Sequence, residues 1–531
     1  MPASRSMRAK AQPVAETYGA YVWSATAAQV AARHGLPVQA VLKFDQNTPP
    51  LPGVPQVPLA ESMARLCDYP EGAYSELRAA AASYTGLQPE NVVVGAGADD
   101  LILLLAHTFL GPGKRASIVP PTYAMYQIAN DLRAAETVVA EADADLHWRC
   151  NPNNPTGEVV EPEVLVDLAR SHPEQVVVVD EAYIEFGGRT AVPWVDELPN
   201  LVVLRTMSKA FGFASLRVGY ALAHPDTAAL LEERRSPGPI SGPAERIASA
   251  ALRDPRLLDL PAIVEERERM RASLVVAGYD CPPAAGNFVW LRTAEPLGER
   301  LEEQGLVVRA FSEGIRITLR RPSENDVLLR ALGAEPGPVP GREATVLRTT
   351  TETALRLTFD LGGVGSARIA TGVGFLDHLL TLFAFHAGAD LELFAGGDLD
   401  VDEHHLVEDV LAALGAALNE ALGDRAGLTR YGQAIVPMDE ARAVAAVDLV
   451  RRPHAEIDLV FSGDRVGALA PSLLRHALER FAIEAGCTVH LEAAGADDHH
   501  VAEAAFKALG RALRLAVAPG EPGIRSTKGA A

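Results

Sequence analysis

The sequence predicts a multidomain chain: an N-terminal α/β region on a parallel sheet with a smaller α+β portion, then a duplicated α+β unit. Three observations carry that expectation. Before residue 334, short β-branched runs alternate with helical stretches. At Ala334–Arg342, three prolines and two glycines in nine residues interrupt any helix or central strand. Beyond that stretch, His-His-x-x-Glu occurs twice, at His404-His405…Glu408 and His499-His500…Glu503.

The N-terminal runs are Asn91-VVVGAGADD, Arg115-ASIVPP, Gln175-VVVVDEAY and Leu201-VVLRTMSK. Each is short and gives way to polar or helical sequence. That pattern reads as a layered α/β fold with chemistry at the strand C-terminal ends. Residues 216–345 begin with a long helical region and continue into an α+β portion around Gly286-NFVWLR and Gly314-IRITLR. After the interruption, strands come in pairs: Arg348-TTTETALRLTFD with Ala367-RIATG, then Arg442-AVAAVDLV with His454-AEIDLVF. Each pair leads to one His-His-x-x-Glu cassette, so two similar halves are expected to pack together.

Length and charge bound the function. A chain of 531 residues exceeds one core and implies three or four domain-sized units. A net charge of −21 argues against nucleic acid and anionic membranes as partners. Cys67, Cys150, Cys281 and Cys487 are scattered without a CxxC pair, which fits a reduced, cytoplasmic compartment. No apolar run reaches membrane-spanning length, and the N-terminal MPASRSMRAKAQP is not a secretory signal.

In the N-terminal region the informative residue is Lys209, in Arg205-TMSKAF. A lysine after a strand can bond a carbonyl cofactor. Asp180 closes the strand VVVVD and suits a pyridinium nitrogen. Tyr183 and Asn154, the latter in NPNNPTG, suit the ring oxygen of such a cofactor. Thr206, Ser208 and Arg217 suit its phosphate. The Gly95-AGADD turn, with Ala98 and Asp99, opens a helix whose backbone N–H groups also suit an anion.

With these motifs in order, residues from about 15 to 333 resemble histidinol-phosphate aminotransferase, a fold-type I pyridoxal-phosphate transferase. The resemblance implies pyridoxal 5'-phosphate bound to Lys209, with Tyr123 stacked on its ring. It implies that Tyr69 reaches the cofactor of a second subunit in a dimer. Arg316 and Arg309 would hold substrate carboxylate or phosphate, and Tyr21 and Asn47 would line the substrate pocket. The family's N-E-N-P reads Gln46-Asn47-Thr48-Pro49 here, and its G-N-G-S-D-E reads GAGADD. The expected division is 1–336 for this part, with a large cofactor domain over about 50–250 and a small domain from the N-terminal segment and about 251–333. A linker at 337–343 and a second part at 344–531 follow.

In the second part, His378, His404, His405, Glu408, His476, His490, His499, His500 and Glu503 form a ligand-rich set. On a helix, His405 with Glu408, and His500 with Glu503, share a face at i, i+3, and each pair can grip one metal. The preceding histidine of each cassette would then reach a second metal. Imidazoles with carboxylates suit manganese, iron or zinc. Asp439 and Glu440 read as groups behind the ligands or on the surface.

Residues 346–529 resemble imidazoleglycerol-phosphate dehydratase through RTTTET, TGVGFLDH, GDLDVDEHHLVED, PMDEA, HHVAEAAFKALGRAL and STKG. The resemblance implies a duplicated α+β dehydratase domain with two manganese ions per site. One ion would take His378, His404, Glu408 and His500; the other would take His405, His476, His499 and Glu503, with His490 in reserve. Ligands would come from different subunits of a shell of two dozen chains. Glu352 would move protons, and Arg430, Arg452, Lys507, Ser526 and Lys528 would hold the substrate phosphate.

The two resemblances imply consecutive steps of histidine biosynthesis. Imidazoleglycerol phosphate would be dehydrated to imidazole acetol phosphate, which would then be transaminated with glutamate to histidinol phosphate. Two alternatives stay open: an aminotransferase of other substrate range, including a related phosphate-amine decarboxylase, and a C-terminal part that is an inactive metal-binding module.

Overall fold

The computed structural model describes residues 14–15, 18–48, 66–139, 143–255, 260–337, 342–467 and 469–523. Ser526, Lys528 and residues 338–341 of the Pro/Gly stretch lie outside these residues. The chain divides into two compact units. One comprises Met1–Ser24, Phe44–Gly298 and Val308–Arg320; the other comprises Ala25–Lys43, Glu299–Val307 and Arg321–Ala531. The division therefore falls upstream of the Pro/Gly stretch. Among the described residues, no helix is long and apolar enough to cross a membrane.

The N-terminal region contributes β1 (Leu42–Phe44), β2 (Val92–Gly95), β3 (Arg115–Ile118), β4 (Glu136–Val139), β5 (Leu146–Cys150), β6 (Val176–Asp180), β7 (Leu201–Thr206) and β8 (Gly219–Ala223). Strands β2 to β8 form one sheet of order β2-β8-β7-β6-β5-β3-β4. Pairing is parallel from β7 through β6, β5 and β3 to β4. Burial on both faces explains why the first four residues of β6 and of β7, VVVV and LVVL, are all apolar.

Strand β8 corrects the expectation of a helical start after residue 216. It runs antiparallel to both neighbours, β2 and β7. All five of its residues are buried, so no polar alternation marks it as a strand. A smaller sheet of order β1-β10-β11-β9 adds β9 (Phe288–Arg292), β10 (Leu306–Phe311) and β11 (Gly314–Thr318). Arg309 on β10 pairs with Arg316 on β11.

The C-terminal part runs β12 (Glu343–Thr349), β13 (Thr353–Asp360), β14 (Ala367–Ala370), α1 (Gly374–Ala387), β15 (Asp390–Gly397) and α2 (His404–Leu422). The order then repeats as β16 (Tyr431–Met438), β17 (Ala441–Asp448), β18 (His454–Leu459), α3 (Pro471–Glu484), β19 (Thr488–Ala494) and α4 (Asp498–Ala516). The sheets have the orders β12-β13-β15-β14 and β16-β17-β19-β18. In both, the first two pairings are antiparallel and the last is parallel.

The simple strand pairs expected from sequence are thus four-stranded sheets. The run from Arg348 to Asp360 breaks into a hairpin, and the strand after α1 or α3 inserts between the two members of each expected pair.

Inner faces of both sheets and the four helices share one hydrophobic core. Helix α1 packs on α4, and α2 packs on α3. Glycine permits both crossings. A Cβ at Gly415 of α2 would lie 2.4 Å from the Phe481 carbonyl oxygen of α3, and one at Gly510 of α4 would lie 2.6 Å from the Phe383 carbonyl oxygen of α1.

The helix Pro322–Ala331 packs on β12. The Ser323 hydroxyl bonds Glu343 Oε1 at 2.6 Å and Thr345 Oγ1 at 2.7 Å, and Thr345 bonds Thr358 at 2.8 Å. All three hydroxyl residues are buried, so these bonds replace those lost to water. On the matching strand of the second sheet, Tyr431 and Ile435 are exposed.

Candidate functional site

The C-terminal ends of β6 and β7, which run parallel, bring Asp180 and Thr206 to one edge of the large sheet. Gly95 ends β2 and leads into the helix Ala98–Phe109. That helix starts at Gly97 (φ 82°) with no side-chain cap on its first N–H groups. A Cβ at Gly97 would lie 2.8 Å from Arg217 Nη2. Uncapped N–H groups beside an arginine form a donor set of the kind a phosphate requires. Asp99 lies in the same first turn. It accepts the Tyr123 hydroxyl at 2.8 Å and Arg217 Nη2 at 3.0 Å.

Asp180 is 3% exposed. Its Oδ2 accepts the Tyr126 hydroxyl at 2.7 Å and its Oδ1 accepts the Ala182 N–H at 3.1 Å. Burial pushes its carboxyl up to about 6 against those bonds. Lys209 Nζ lies 5.6 Å from the Tyr183 ring centre. Burial, helped by the nearby Arg316 charge, brings the Lys209 amine down to about 8. Burial also raises the Tyr123 and Tyr183 phenols.

Asn47, weighed from sequence as a pocket-lining residue, is fully buried. Its Nδ2 donates to the Tyr183 hydroxyl at 2.8 Å. Asn154 Oδ1 accepts Arg316 Nη1 at 2.6 Å, a bond that does not engage its amide nitrogen. Arg316 Nη2 donates to the Asp45 carbonyl at 2.7 Å. Arg309 donates to the Ser24 hydroxyl at 3.2 Å. Tyr21 sits edge-on to Trp23 at the surface. Tyr69 is 99% exposed.

The C-terminal part gathers its ligand candidates into two clusters. His378 Nε2 lies 2.7 Å and His499 Nε2 lies 3.0 Å from Glu503 Oε1. His404 Nε2 lies 3.7 Å and His476 Nε2 lies 3.3 Å from Glu408 Oε2. In each cluster one ligand atom per residue lies within 4.8 Å of the others, a separation one cation can bridge. Each cluster takes one histidine from the short helix of one half and His-x-x-x-Glu from the long helix of the other. The α1–α4 and α2–α3 crossings cause this.

Within one chain the glutamates pair with His404 and His499 at i, i+4, while His405 and His500 at i, i+3 turn elsewhere. One chain also places His378 with Glu503 and His476 with Glu408, whereas the sets the resemblance implied draw on different subunits. His490, the reserve ligand, lies on an exposed sheet position beside His454 and in neither cluster.

His405 and His500 turn to carboxylates. His405 Nδ1 lies 3.1 Å from Asp398 and 3.7 Å from Glu352, and its pKa is raised chiefly by the Asp398 bond. His500 Nδ1 lies 2.9 Å from Glu440, which raises its pKa in the same way. Glu352 directly precedes β13 and Glu440 directly precedes β17, so the two glutamates hold the same place in the two hairpins. The sequence reading left Glu440 either behind the ligands or on the surface, and that repeated position is the signal that separates the two.

Lys507 Nζ donates to Glu503 Oε2 at 2.6 Å. Burial raises the Glu503 carboxyl, but the Lys507 and His378 bonds win and hold it at about 2. Arg430 grips Asp448 with two bonds of 2.7 and 3.0 Å. Arg452 is exposed.

Comparison with known proteins matches both regions. Residues 371–513 match the family described as imidazoleglycerol-phosphate dehydratase, and residues 34–149 and 128–332 match aminotransferase class I and II. An imidazoleglycerol-phosphate dehydratase of Granulibacter bethesdensis is 50% identical over 194 residues, covering 36% of this chain and 98% of that protein. A histidinol-phosphate aminotransferase of Roseiflexus castenholzii is 36% identical over 348 residues, covering 57% of this chain and 92% of that protein. The crystal structure of histidinol-phosphate aminotransferase from Sinorhizobium meliloti, in complex with pyridoxal-5'-phosphate, aligns with a TM-score of 0.54 at 25% identity. It covers 59% of this chain and 94% of that one.

Proposed function

The chain belongs to two families at once, the histidinol-phosphate aminotransferases and the imidazoleglycerol-phosphate dehydratases, and from that premise we propose that it catalyses two consecutive steps of histidine biosynthesis. The C-terminal part dehydrates imidazoleglycerol phosphate to imidazole acetol phosphate. The N-terminal part transaminates that ketone with glutamate to histidinol phosphate. The observation that carries the reading is that each region holds its own donor set: Lys209, Asp180, Tyr183 and Asn154 in one, and two His/His/Glu clusters in the other.

Pyridoxal phosphate, when bound, supplies an electron sink for charge developing on the substrate carbon. Lys209 would hold the group through Nζ and move a proton there, a task suited to an amine that burial lowers to about 8. Asp180 would face the ring nitrogen as its counter-charge. Tyr183, oriented by Asn47, and Asn154 bond the ring oxygen. Thr206, Ser208, Arg217 and the N–H groups of Ala98 and Asp99 hold the phosphate, and Tyr123 covers the ring. Arg316 and Arg309 take the anionic groups of the substrate. Tyr69, exposed in one chain, serves the site of a second subunit in a dimer.

Manganese, if bound, would be held by the two clusters and would supply Lewis acidity to the reaction. His405 and His500, outside the clusters of a single chain, complete the ligand sets in a homo-oligomeric shell. Glu352 removes the substrate carbon proton. Lys507, Arg430, Arg452, Ser526 and Lys528 bind the phosphate, with Arg430 first leaving Asp448. The matched topology of the two halves supports descent by internal duplication. A cytoplasmic enzyme fits the four free cysteines.

A coupled assay tests the whole reading. The full-length chain receives imidazoleglycerol phosphate, manganese, pyridoxal phosphate and glutamate, and histidinol phosphate is measured. Its formation, lost separately in Lys209→Ala and His404→Ala, is the expected result. Accumulation of the ketone alone would refute the transaminase substrate, and no consumption of imidazoleglycerol phosphate would refute the dehydratase.

A further inference from the structure

We propose that Tyr126 is a positioning residue of the aminotransferase site, its hydroxyl fixing the carboxylate of Asp180 and through it the proton on the cofactor's ring nitrogen. This rests on the reading of that site as a pyridoxal-phosphate site.

Tyr126 lies in the helix Ala124–Leu132, immediately after Tyr123, and is fully buried. Its ring stacks on Trp148 with centres 5.3 Å apart and planes 6° from parallel. Trp148 is itself held, because its Nε1 donates to Asn130 Oδ1 at 2.9 Å. Asn130 in turn donates to Thr137 Oγ1 at 3.0 Å. The phenol ring is therefore clamped, and its hydroxyl meets Asp180 Oδ2 at 2.7 Å. The other carboxylate oxygen takes the Ala182 N–H. Both donors are neutral, so neither supplies charge to an acid this deeply buried.

A hydrogen bond to the ionised form opposes the burial that pushes Asp180 toward neutrality. Without the hydroxyl, the carboxyl shifts further toward its neutral form, which cannot balance a protonated ring nitrogen. Tyr123 and Tyr126 make the division of labour local: the N-cap residue covers the ring, and the first turn of the helix behind it fixes the counter-ion.

The test uses the full-length chain loaded with pyridoxal phosphate and reads the pH midpoint of the cofactor's visible absorbance band. Tyr126→Phe keeps the stacked ring and removes one hydroxyl. With less positive charge held on the ring nitrogen, the proton at the lysine link persists to higher pH. The midpoint is expected to rise by about one unit. Trp148→Phe disturbs the packing but keeps the hydroxyl, and is expected to leave the midpoint in place.

An unchanged midpoint in Tyr126→Phe, or an equal rise in both variants, overturns the proposal and leaves Tyr126 a packing residue. If Tyr126→Phe does not fold, 3,5-difluorotyrosine placed at 126 supplies a stronger donor. A lowered midpoint then supports the proposal and an unmoved one overturns it. Absence of any visible band in the wild-type chain would instead refute the cofactor assignment itself.

Discussion

The two candidate sites handle charge in opposite ways. In the aminotransferase region, Asp180 and Arg316 are both buried, and the Lys209 amine sits near neutrality in the same surroundings. In the dehydratase region, the His378, His404, His476 and His499 side chains are 43–50% exposed. The proposed chemistries would account for the difference. A low-dielectric site tunes an amine and a carboxylate by desolvation. A metal site needs open approach for ion and substrate, and draws its field from the ion. The first site is shaped by one sheet edge, the second by helices of two halves crossing.

Several measurements break or sharpen that contrast. The largest effect is expected from metal removal: exhaustive chelation abolishes dehydration while transamination persists. Parallel loss of both activities would show that the sites are not independent. Next comes Lys209→Ala, expected to lower transamination by roughly 10^4-fold with dehydration unchanged, measured by separate assays of each step. Continued transamination in that variant would remove Lys209 from its role.

Gly510→Ala probes the helix crossing behind the His378/His499/Glu503 cluster. Its Cβ would meet the Phe383 carbonyl at 2.6 Å, so α4 must move off α1. A destabilisation of about 1–3 kcal/mol is expected, seen as a lower Tm, together with weaker manganese binding. Gly415→Ala is its counterpart at the other cluster. Unchanged Tm and metal affinity in both would mean that the crossings do not set the clusters.

The smallest effect is in pH. The amine reacts in its neutral form, which is lost as pH falls through the Lys209 value of about 8. Cofactor uptake by the cofactor-free chain, followed by absorbance, is expected to rise about tenfold per pH unit below that value and level off above it. A rise continuing past pH 10 would place Lys209 in an ordinary solvated setting.

Much of this was legible in the sequence, for identifiable reasons. Asp180 and Thr206 end the short strands VVVVD and LVVLRT, so their place at a sheet edge follows from local pattern. The His-His-x-x-Glu cassettes are helical and local as well. What pairs with them is not local. His378 meets Glu503 because Gly510 admits a neighbouring backbone, and His476 meets Glu408 because of Gly415. Nothing within one cassette encodes that choice. Strand β8 escaped because uniform burial erases alternation. Asn47 and Tyr126 act on Tyr183 and Asp180 across 136 and 54 residues of sequence, distances that no spacing rule spans.

The Ser323–Thr345–Thr358 ladder bears on how this enzyme came to be one polypeptide. The matched aminotransferase region ends at 332, yet its last helix donates a buried hydroxyl to the first strands of the dehydratase part. Expressing residues 344–531 from a gene of their own would strip Thr345 and Thr358 of that cover. The second sheet would lose nothing, because Tyr431 and Ile435 on its matching strand already face solvent. A split gene should therefore carry the helix Pro322–Ala331 with the dehydratase part, the unit in which it lies.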